Sequence, residues 1–219
     1  GKLKISRPTK GAAIGLKVRV YMQKADYANA ITEANKIIPT AAPFVSPIGG
    51  YKLEASVDGM WYPKDYSNAE SMFSIESLDV DNNGPNGSLA AMYPPASISG
   101  IGLIRVSPIS YNMPEWLATD ARRTKLLLQD GRSYYSYKYR DIVGRSDGAP
   151  HLRYAEYLLY LSEALVRVNG KDARALALLN AVRDRALEGT APSYALDDFA
   201  DDKAMVKAIL IERRIELLG

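Results

Sequence analysis

Apolar residues recur at spacings of three and four along both flanks of the chain and lose that rhythm in between. From Pro8 to Ile38 the pattern predicts a helical hairpin (residues 8–38). Pro8-Thr9 opens it, because threonine can cap the free N–H groups of a first turn. Ala12, Ala13, Leu16 and Val20 then fall on one helical face. Lys24-Ala25-Asp26 makes the turn. Tyr27, Ala30, Ile31, Ala34 and Ile37-Ile38 carry the second helix, which Pro39 ends. A second hairpin covers residues 151–188. Its first helix bears the stripe Leu152, Ala155, Leu158, Leu159, Ser162, Leu165 and Val166 and stops at Asn169-Gly170, where glycine takes a left-handed cap. Ala173, Leu176, Leu179, Val182 and Ala186 carry its partner to Glu188-Gly189. A final helix, residues 201–218, starts at Asp201-Asp202 with acids at the positive end of the helix dipole, and runs through Met205, Ile209, Ile211, Ile215 and Leu218.

Residues 39–150 cannot be long helices. Ten of the twelve prolines lie there, and ten of the sixteen glycines fall between Gly49 and Gly148. Short strand-like runs are predicted at 51–53, 71–78 and 102–106, between the turn-rich stretches 81–87 and 93–95. The fold class is therefore mainly α: tetratricopeptide-like helical hairpins with a long, loop-rich insertion carrying short strands. Two hairpins and a final helix are few for a free-standing array, so either the insertion covers their apolar faces or further helices belong to the fold.

Composition narrows the chemistry. With no cysteine and one histidine, His151, the chain has no thiolate metal site, no cysteine nucleophile and no multi-histidine centre. A net charge of +3 is too mild to call for nucleic acid, and no apolar run approaches a membrane span. The seven lysines and arginines of residues 1–24 read as a solvated helix face, since Lys10, Lys17 and Lys24 recur every seven residues. No catalytic residue, cofactor or metal site is assigned: carboxylates abound in the insertion, but no spacing singles out the pair a glycosidase needs, and His151 reads as a residue of the helix start.

Nine of the fifteen tyrosines and both tryptophans fall between Tyr51 and Tyr139. Flat rings cover the C–H face of a pyranose, and amides and carboxylates bond its hydroxyls; any one ring taken singly reads more readily as core. The cluster at 61–68 stands out, so Trp61, Tyr62, Tyr66 and Tyr93 are the candidates for stacking, with Asp65 and Asn68 for hydrogen bonds. Charges set within the apolar helical patterns, Arg153, Glu156, Glu163, Arg183, Glu212 and Arg213, read as paired structural ties between helices.

These flanks also carry a family resemblance. Residues 8–38 resemble the central tetratricopeptide segment of SusD/RagB-type proteins. Leu152-Arg153-Tyr154-Ala155-Glu156-Tyr157-Leu158-Leu159 with Ser162-Glu163-Ala164, then Leu179 to Ala186, then Glu212 to Leu217, resemble three further signatures in order. Glu70 to Ile75 and Asp120-Ala121-Arg122-Arg123 resemble shorter ones within the insertion. The resemblance implies one SusD-like domain fragment over residues 1–219, its final helix cut short. It implies a surface-exposed lipoprotein of the outer membrane, anchored by an N-terminal lipid in the parent protein. Such proteins capture oligosaccharide or polysaccharide without cleaving it and pass it to a SusC-like TonB-dependent transporter. The alternatives are a tetratricopeptide-like adaptor for a protein partner and a glycoside hydrolase.

Overall fold

A computed structural model describes residues 6–61 and 68–219. The chain opens with helices α1 (Lys10–Gln23) and α2 (Tyr27–Ala34), whose first turns are capped by the side chains of Thr9 and Asp26. The central region holds β1 (Ser71–Ile75), the short helices α3 (Leu89–Met92), α4 (Pro108–Tyr111) and α5 (Ala121–Lys125), then β2 (Leu127–Asp130), β3 (Ser133–Ser136) and β4 (Ala149–Arg153). Three long helices follow: α6 (Tyr154–Asn169), α7 (Ala173–Leu187) and α8 (Asp202–Glu216). The class is mainly α, as the periodicity predicts. No helix among the described residues is long and apolar enough to cross a membrane.

Helix α6 is the axis of the molecule. Every residue from Tyr154 to Val166 is buried, because α1, α2, α7, α8 and β4 all pack on it. An amphipathic stripe accounts for one covered face; this helix is covered all round. Its apolar residues share one core with Val18 and Met22 of α1, Ala30 and Ala34 of α2, Leu178 and Val182 of α7, and Met205 and Ile209 of α8. The insertion closes this core with Phe44, Tyr51 and Met72.

Helix α1 buries a different face from the predicted one. Leu16 and Val20 are more than half exposed and Ala13 is exposed, whereas Gly11, Ala12, Ile14, Gly15, Val18 and Met22 face inward. The glycines are the reason. A Cβ on Gly15 would lie 2.8 Å from Cζ of Tyr157 on α6, and one on Gly11 would lie 2.4 Å from the ring of Tyr51. The two tyrosine rings occupy the space side chains at these positions would take. The bare backbone is thus the packing surface.

The strands also differ from the reading. Of the runs at 51–53, 71–78 and 102–106, only the second forms a strand, over Ser71–Ile75; the third contributes a lone bridge between Arg105 and Tyr135. β1 pairs antiparallel with β4, Ser71 opposite Arg153 and Ile75 opposite Ala149, with an irregularity about Phe73. Leu152 and Arg153 therefore end a strand rather than begin α6, which starts at Tyr154. Pro150 is tolerated because a two-stranded sheet has only edge strands. β2 and β3 form a hairpin turning at Gly131, whose φ of +57° favours glycine.

Gly15→Val is expected to destabilise the protein by about 2 kcal/mol, the scale of overpacking in a close-packed interior. Leu16→Ala, one residue away, should stay within about 0.5 kcal/mol. Urea unfolding of the two variants checks this, and equal losses would contradict the packing of α1 through its glycines.

Candidate functional site

Beneath the insertion, carboxylates and guanidinium groups from five distant segments meet out of water. Arg122 of α5 binds Asp120 through Nη2 and Asp120 Oδ2 (2.7 Å), Glu212 through Nη1 (2.6 Å) and Glu216 through Nη1 (3.0 Å), and all four side chains are buried. Glu216 also accepts from Arg153 at 3.1 Å and from Arg185 at 3.0 Å, and Arg185 binds Glu70 at 2.5 Å. The Lys138 amine, fully buried, donates to the Leu218 carbonyl and approaches the Glu216 and Gly219 carbonyls at 3.5 and 3.4 Å. It thereby satisfies the free carbonyls at the end of α8.

The electrostatics follow from this packing. Burial works against the Glu216 carboxylate, but Arg185, Arg153, Arg122 and Lys138 outweigh it and hold the group down from its ordinary 4.5 to about 2. Glu212 lies on the other side: burial outweighs Arg122 and raises it. Burial, with repulsion from Arg153, pushes the Lys138 amine well below its ordinary value.

Two of the predicted aromatics, Trp61 and Tyr93, lie beside this network. Trp61 is 8% exposed and packs edge-on to Tyr139, the centroids 5.5 Å apart and the planes at 79°. Tyr93, half-buried, meets the same Tyr139 ring at 5.2 Å. Lys138 Nζ stands 4.9 Å and Arg153 Cζ 5.2 Å from the Trp61 ring, so cations of the network lie against its face. The indole N–H of Trp61 is buried and has no hydrogen-bond partner among the described residues.

Beside Trp61 lies a cleft of about 200 Å³. Trp61 and Tyr139 line it together with Arg19 of α1, His151 and Arg153 of β4, and Glu156 of α6. Arg19 grips Glu156 with two bonds, Nε to Oε1 at 3.1 Å and Nη2 to Oε2 at 2.7 Å, and also donates to the His151 carbonyl at 2.8 Å. Burial alone would lower the Arg19 pKa, and the bond and charge of Glu156 more than reverse that. Glu156 is the one acidic side chain lining the cleft among the described residues, and it is neutralised. Hydrolysis of a glycoside uses two carboxyl groups across the bond.

The remaining predicted residues fall as follows. Tyr62, Asp65 and Tyr66 lie outside the described residues. Asn68 spends both ends of its amide locally, donating to the Met60 carbonyl at 3.1 Å and accepting from the Glu70 and Ser71 N–H groups at 3.1 and 2.7 Å. Of the charges read as helix ties, Arg153 and Glu212 belong to the buried network. Glu163 binds Arg213 at 2.5 Å and so joins α6 to α8. Glu156 joins α6 to α1. Arg183 makes a different contact: it covers the Tyr194 ring at 4.0 Å and donates to the Pro192 carbonyl at 2.9 Å, fastening α7 to the loop that follows it.

Residue chemistry alone missed Glu70, Asp120, Arg122, Lys138, Arg185 and Glu216 as members of one site. A signal was present for most of them: Glu70, Asp120, Arg122, Arg185 and Glu216 each sit within a stretch singled out by the family resemblance. Spacing in sequence says nothing of their meeting, since 146 positions separate Glu70 from Glu216.

The profile of the SusD family matches residues 116–219. Among solved structures, a SusD superfamily protein from Bacteroides fragilis shares 28% identity over 96% of this chain and 45% of its own, with a TM-score of 0.74. A laminarin-binding SusD-like protein shares 23% identity over 98% of this chain and 53% of its own, at a TM-score of 0.77. Surface glycan-binding protein A from Bacteroides thetaiotaomicron, solved in complex with laminarihexaose, shares 19% over 98% and 53%, at 0.73. The last two likenesses are of fold. The chain spans about half the length of the solved structures it matches. No curated protein matches the sequence.

Arg122→Met is expected to cost about 3 kcal/mol or more in chemical unfolding, because it strands Asp120, Glu212 and Glu216 without their cation. The network also sets an acid limit. Glu216 binds its proton less readily folded than unfolded, so its contribution is complete above about pH 4.5 and is lost as the pH falls towards about 2. Glu212, raised by burial, opposes this near and above pH 4.5. Melting temperature measured from pH 5 to pH 2 should fall less steeply in Glu216→Gln than in the parent chain; an unchanged slope would contradict a charged Glu216.

Proposed function

From the premise that the C-terminal part of the chain, residues 116–219, belongs to the SusD family, we propose that the protein binds glycans at the Trp61 cleft without cleaving them. The observation that carries this reading is Trp61 itself. It borders a cleft of about 200 Å³ that Tyr139, Arg19, His151 and Glu156 also line. At roughly 30 Å³ per water the cleft has room for about six waters, the scale of a single sugar residue. The Tyr139 hydroxyl, Arg19, Glu156 and His151 surround the same space with groups suited to sugar hydroxyls, while Trp61 and Tyr139 supply apolar surface.

Two proteins of the same fold, a laminarin-binding SusD-like protein and a surface glycan-binding protein solved with laminarihexaose, support the ligand class. Tyr93, against the same Tyr139 ring, is the second stacking candidate, whereas Asn68, whose amide is spent on Met60, Glu70 and Ser71, is withdrawn as a hydroxyl partner. The wider role follows from the family. The parent protein sits at the cell surface on the outer membrane, held by an N-terminal lipid, and delivers oligosaccharide to a SusC-like TonB-dependent transporter. No catalytic step is assigned: among the described residues Glu156 is paired and faces no second acidic side chain in the cleft.

The test is binding of the chain to a panel of polysaccharides that includes laminarin, by isothermal titration and by tryptophan fluorescence in a Trp116→Phe background, where Trp61 is the remaining indole. Ligand should change the Trp61 emission. His151→Ala, exposed and therefore harmless to the fold, should weaken binding at least fivefold, and Trp61→Ala at least tenfold. A panel in which no glycan binds, or binding indifferent to both substitutions, moves the site elsewhere.

A further inference from the structure

Three asparagines of the chain precede a glycine: Asn83, Asn86 and Asn169. A glycine amide has no Cβ beside it to shield it. Its nitrogen can therefore close on the asparagine side chain, provided that the N–H is released from its hydrogen bond and the side chain is free to swing. The three sites differ in both respects.

Asn169 ends α6. The Gly170 N–H donates to the Val166 carbonyl at 2.9 Å and closes the helix, and the Asn169 amide donates to Asp172 at 3.3 Å. Asn83 is exposed, but the Gly84 N–H is held by the side-chain oxygen of Asn82 at 2.9 Å. Asn82 is itself pinned, its amide donating to the Leu78, Asp79 and Gly144 carbonyls. The chain also folds back onto Asn83: a Cβ on Gly87 would lie 2.8 Å from both the Asn83 Cβ and the Asn83 carbonyl oxygen. At Asn86 both restraints are weak. Pro85 and Asn86 stand at the centre of a turn whose closing bond, from the Gly87 N–H to the Gly84 carbonyl, is 3.3 Å long; the same carbonyl accepts from the Ser88 N–H at 3.0 Å. The Asn86 side chain is exposed and makes no hydrogen bond among the described residues.

We propose that Asn86 is the site at which this chain modifies itself, by deamidation and isoaspartate formation, and that the fold protects Asn83 and Asn169. The Gly87 amide loses its proton to hydroxide, and its nitrogen attacks Cγ of Asn86. The bond from Cγ to the side-chain nitrogen breaks, and ammonia leaves with a proton taken from water. Water then opens the five-membered succinimide. Cleavage between Cγ and the Gly87 nitrogen gives aspartate. Cleavage between the Asn86 backbone carbonyl and that nitrogen gives isoaspartate, in which the main chain runs through Cγ and is one methylene longer. Nothing is oxidised or reduced, and water is the co-reactant. Either product adds one negative charge to a chain of net charge +3. The change stays within the loop, because α3 beyond it is held by its buried Ala90 and Ala91 and by the Ile101 and Leu103 N–H groups, which donate to the Ala91 and Met92 carbonyls at 2.7 and 3.0 Å. The proposal is independent of the glycan reading.

The test is incubation of the full chain in mildly alkaline buffer, sampled over days. Ion exchange should resolve a growing acidic isoform. Peptide mapping with electron-transfer fragmentation, which separates isoaspartate from aspartate, should place it at Asn86, about tenfold or more ahead of Asn83 and Asn169. In guanidinium chloride, where the protecting hydrogen bonds are gone, the three sites should react at rates within a factor of about three. Asn86→Ala should remove the acidic isoform, and Asn82→Ala, which frees the Gly84 N–H, should bring Asn83 towards the rate of Asn86. Asn83 or Asn169 reacting as fast as Asn86 in the folded chain overturns the proposal. So does an acidic isoform that persists in Asn86→Ala, an Asn83 that stays inert in Asn82→Ala, or a folded chain that stays unmodified while the denatured one is converted.

Discussion

Glu216 is where the architecture closes. Its carboxylate stands at the end of α8, out of water, and is tolerated there because Arg122, Arg153 and Arg185 converge on it from the insertion, from β4 and from α7. A buried carboxylate without cations is among the most costly things a fold can contain, so each arginine must arrive in place for α8 to lie where it does. The guanidinium fork adds direction to charge: Arg122 binds Asp120 with one end and the two glutamates with the other, which fixes the orientation of α5 against α8 as well as their separation. Ion pairs of this kind contribute little net stability compared with apolar packing. Their work here is registration: they admit one alignment of five segments and penalise the rest.

That registration reaches the cleft. The loop-rich insertion has too little regular structure to hold an aromatic side chain still by itself. Arg153 belongs to the network through Glu216 and to the aromatic cluster through the face of Trp61, and Lys138 joins the α8 terminus to the same ring. The indole is held between the T-shaped contact of Tyr139 and two cations whose own positions are fixed below. Arg19 does the equivalent at the far wall, where its two bonds to Glu156 tie α1 to the start of α6. Both walls of the cleft are therefore built on ionic contacts with the helical frame, and a ligand meets side chains already ordered.

The parts of this structure legible in the sequence are those governed by local periodicity. The long helices, their threonine and aspartate caps and the glycine stop at Gly170 all follow from spacing and backbone chemistry. Periodicity failed on α1 because it counts apolar side chains, and the buried face there is built on Gly11 and Gly15, where the absence of a side chain admits Tyr51 and Tyr157. The face with Leu16 and Val20 looked the more apolar and is the exposed one. β2, β3 and β4 are four or five residues long, β3 made of serine and tyrosine and β4 interrupted by Pro150, and their partners set them more than their own pattern does. Trp61 and Tyr93 do meet around Tyr139, yet nothing local in the sequence distinguishes a ring on the cleft wall from one in the core, and Trp61 is largely both. The ion network lay in the sequence as scattered charges inside apolar runs. Its membership depends on contacts that span as many as 115 residues, which no window of spacing can see.

Helix α8 is held in a single arrangement. Glu212 and Glu216 point its inner side at the network that supports the cleft. Three arginines hold Glu216, Arg213 holds Glu163 of α6, and Lys138 fastens the carbonyls at the helix end. A shift of even one turn would strip several buried charges of their partners at once, a penalty larger than the 1–3 kcal/mol typical of allosteric coupling. The frame beneath the cleft therefore has one arrangement, and the ionic contacts that fix it are the ones that hold Trp61 in place.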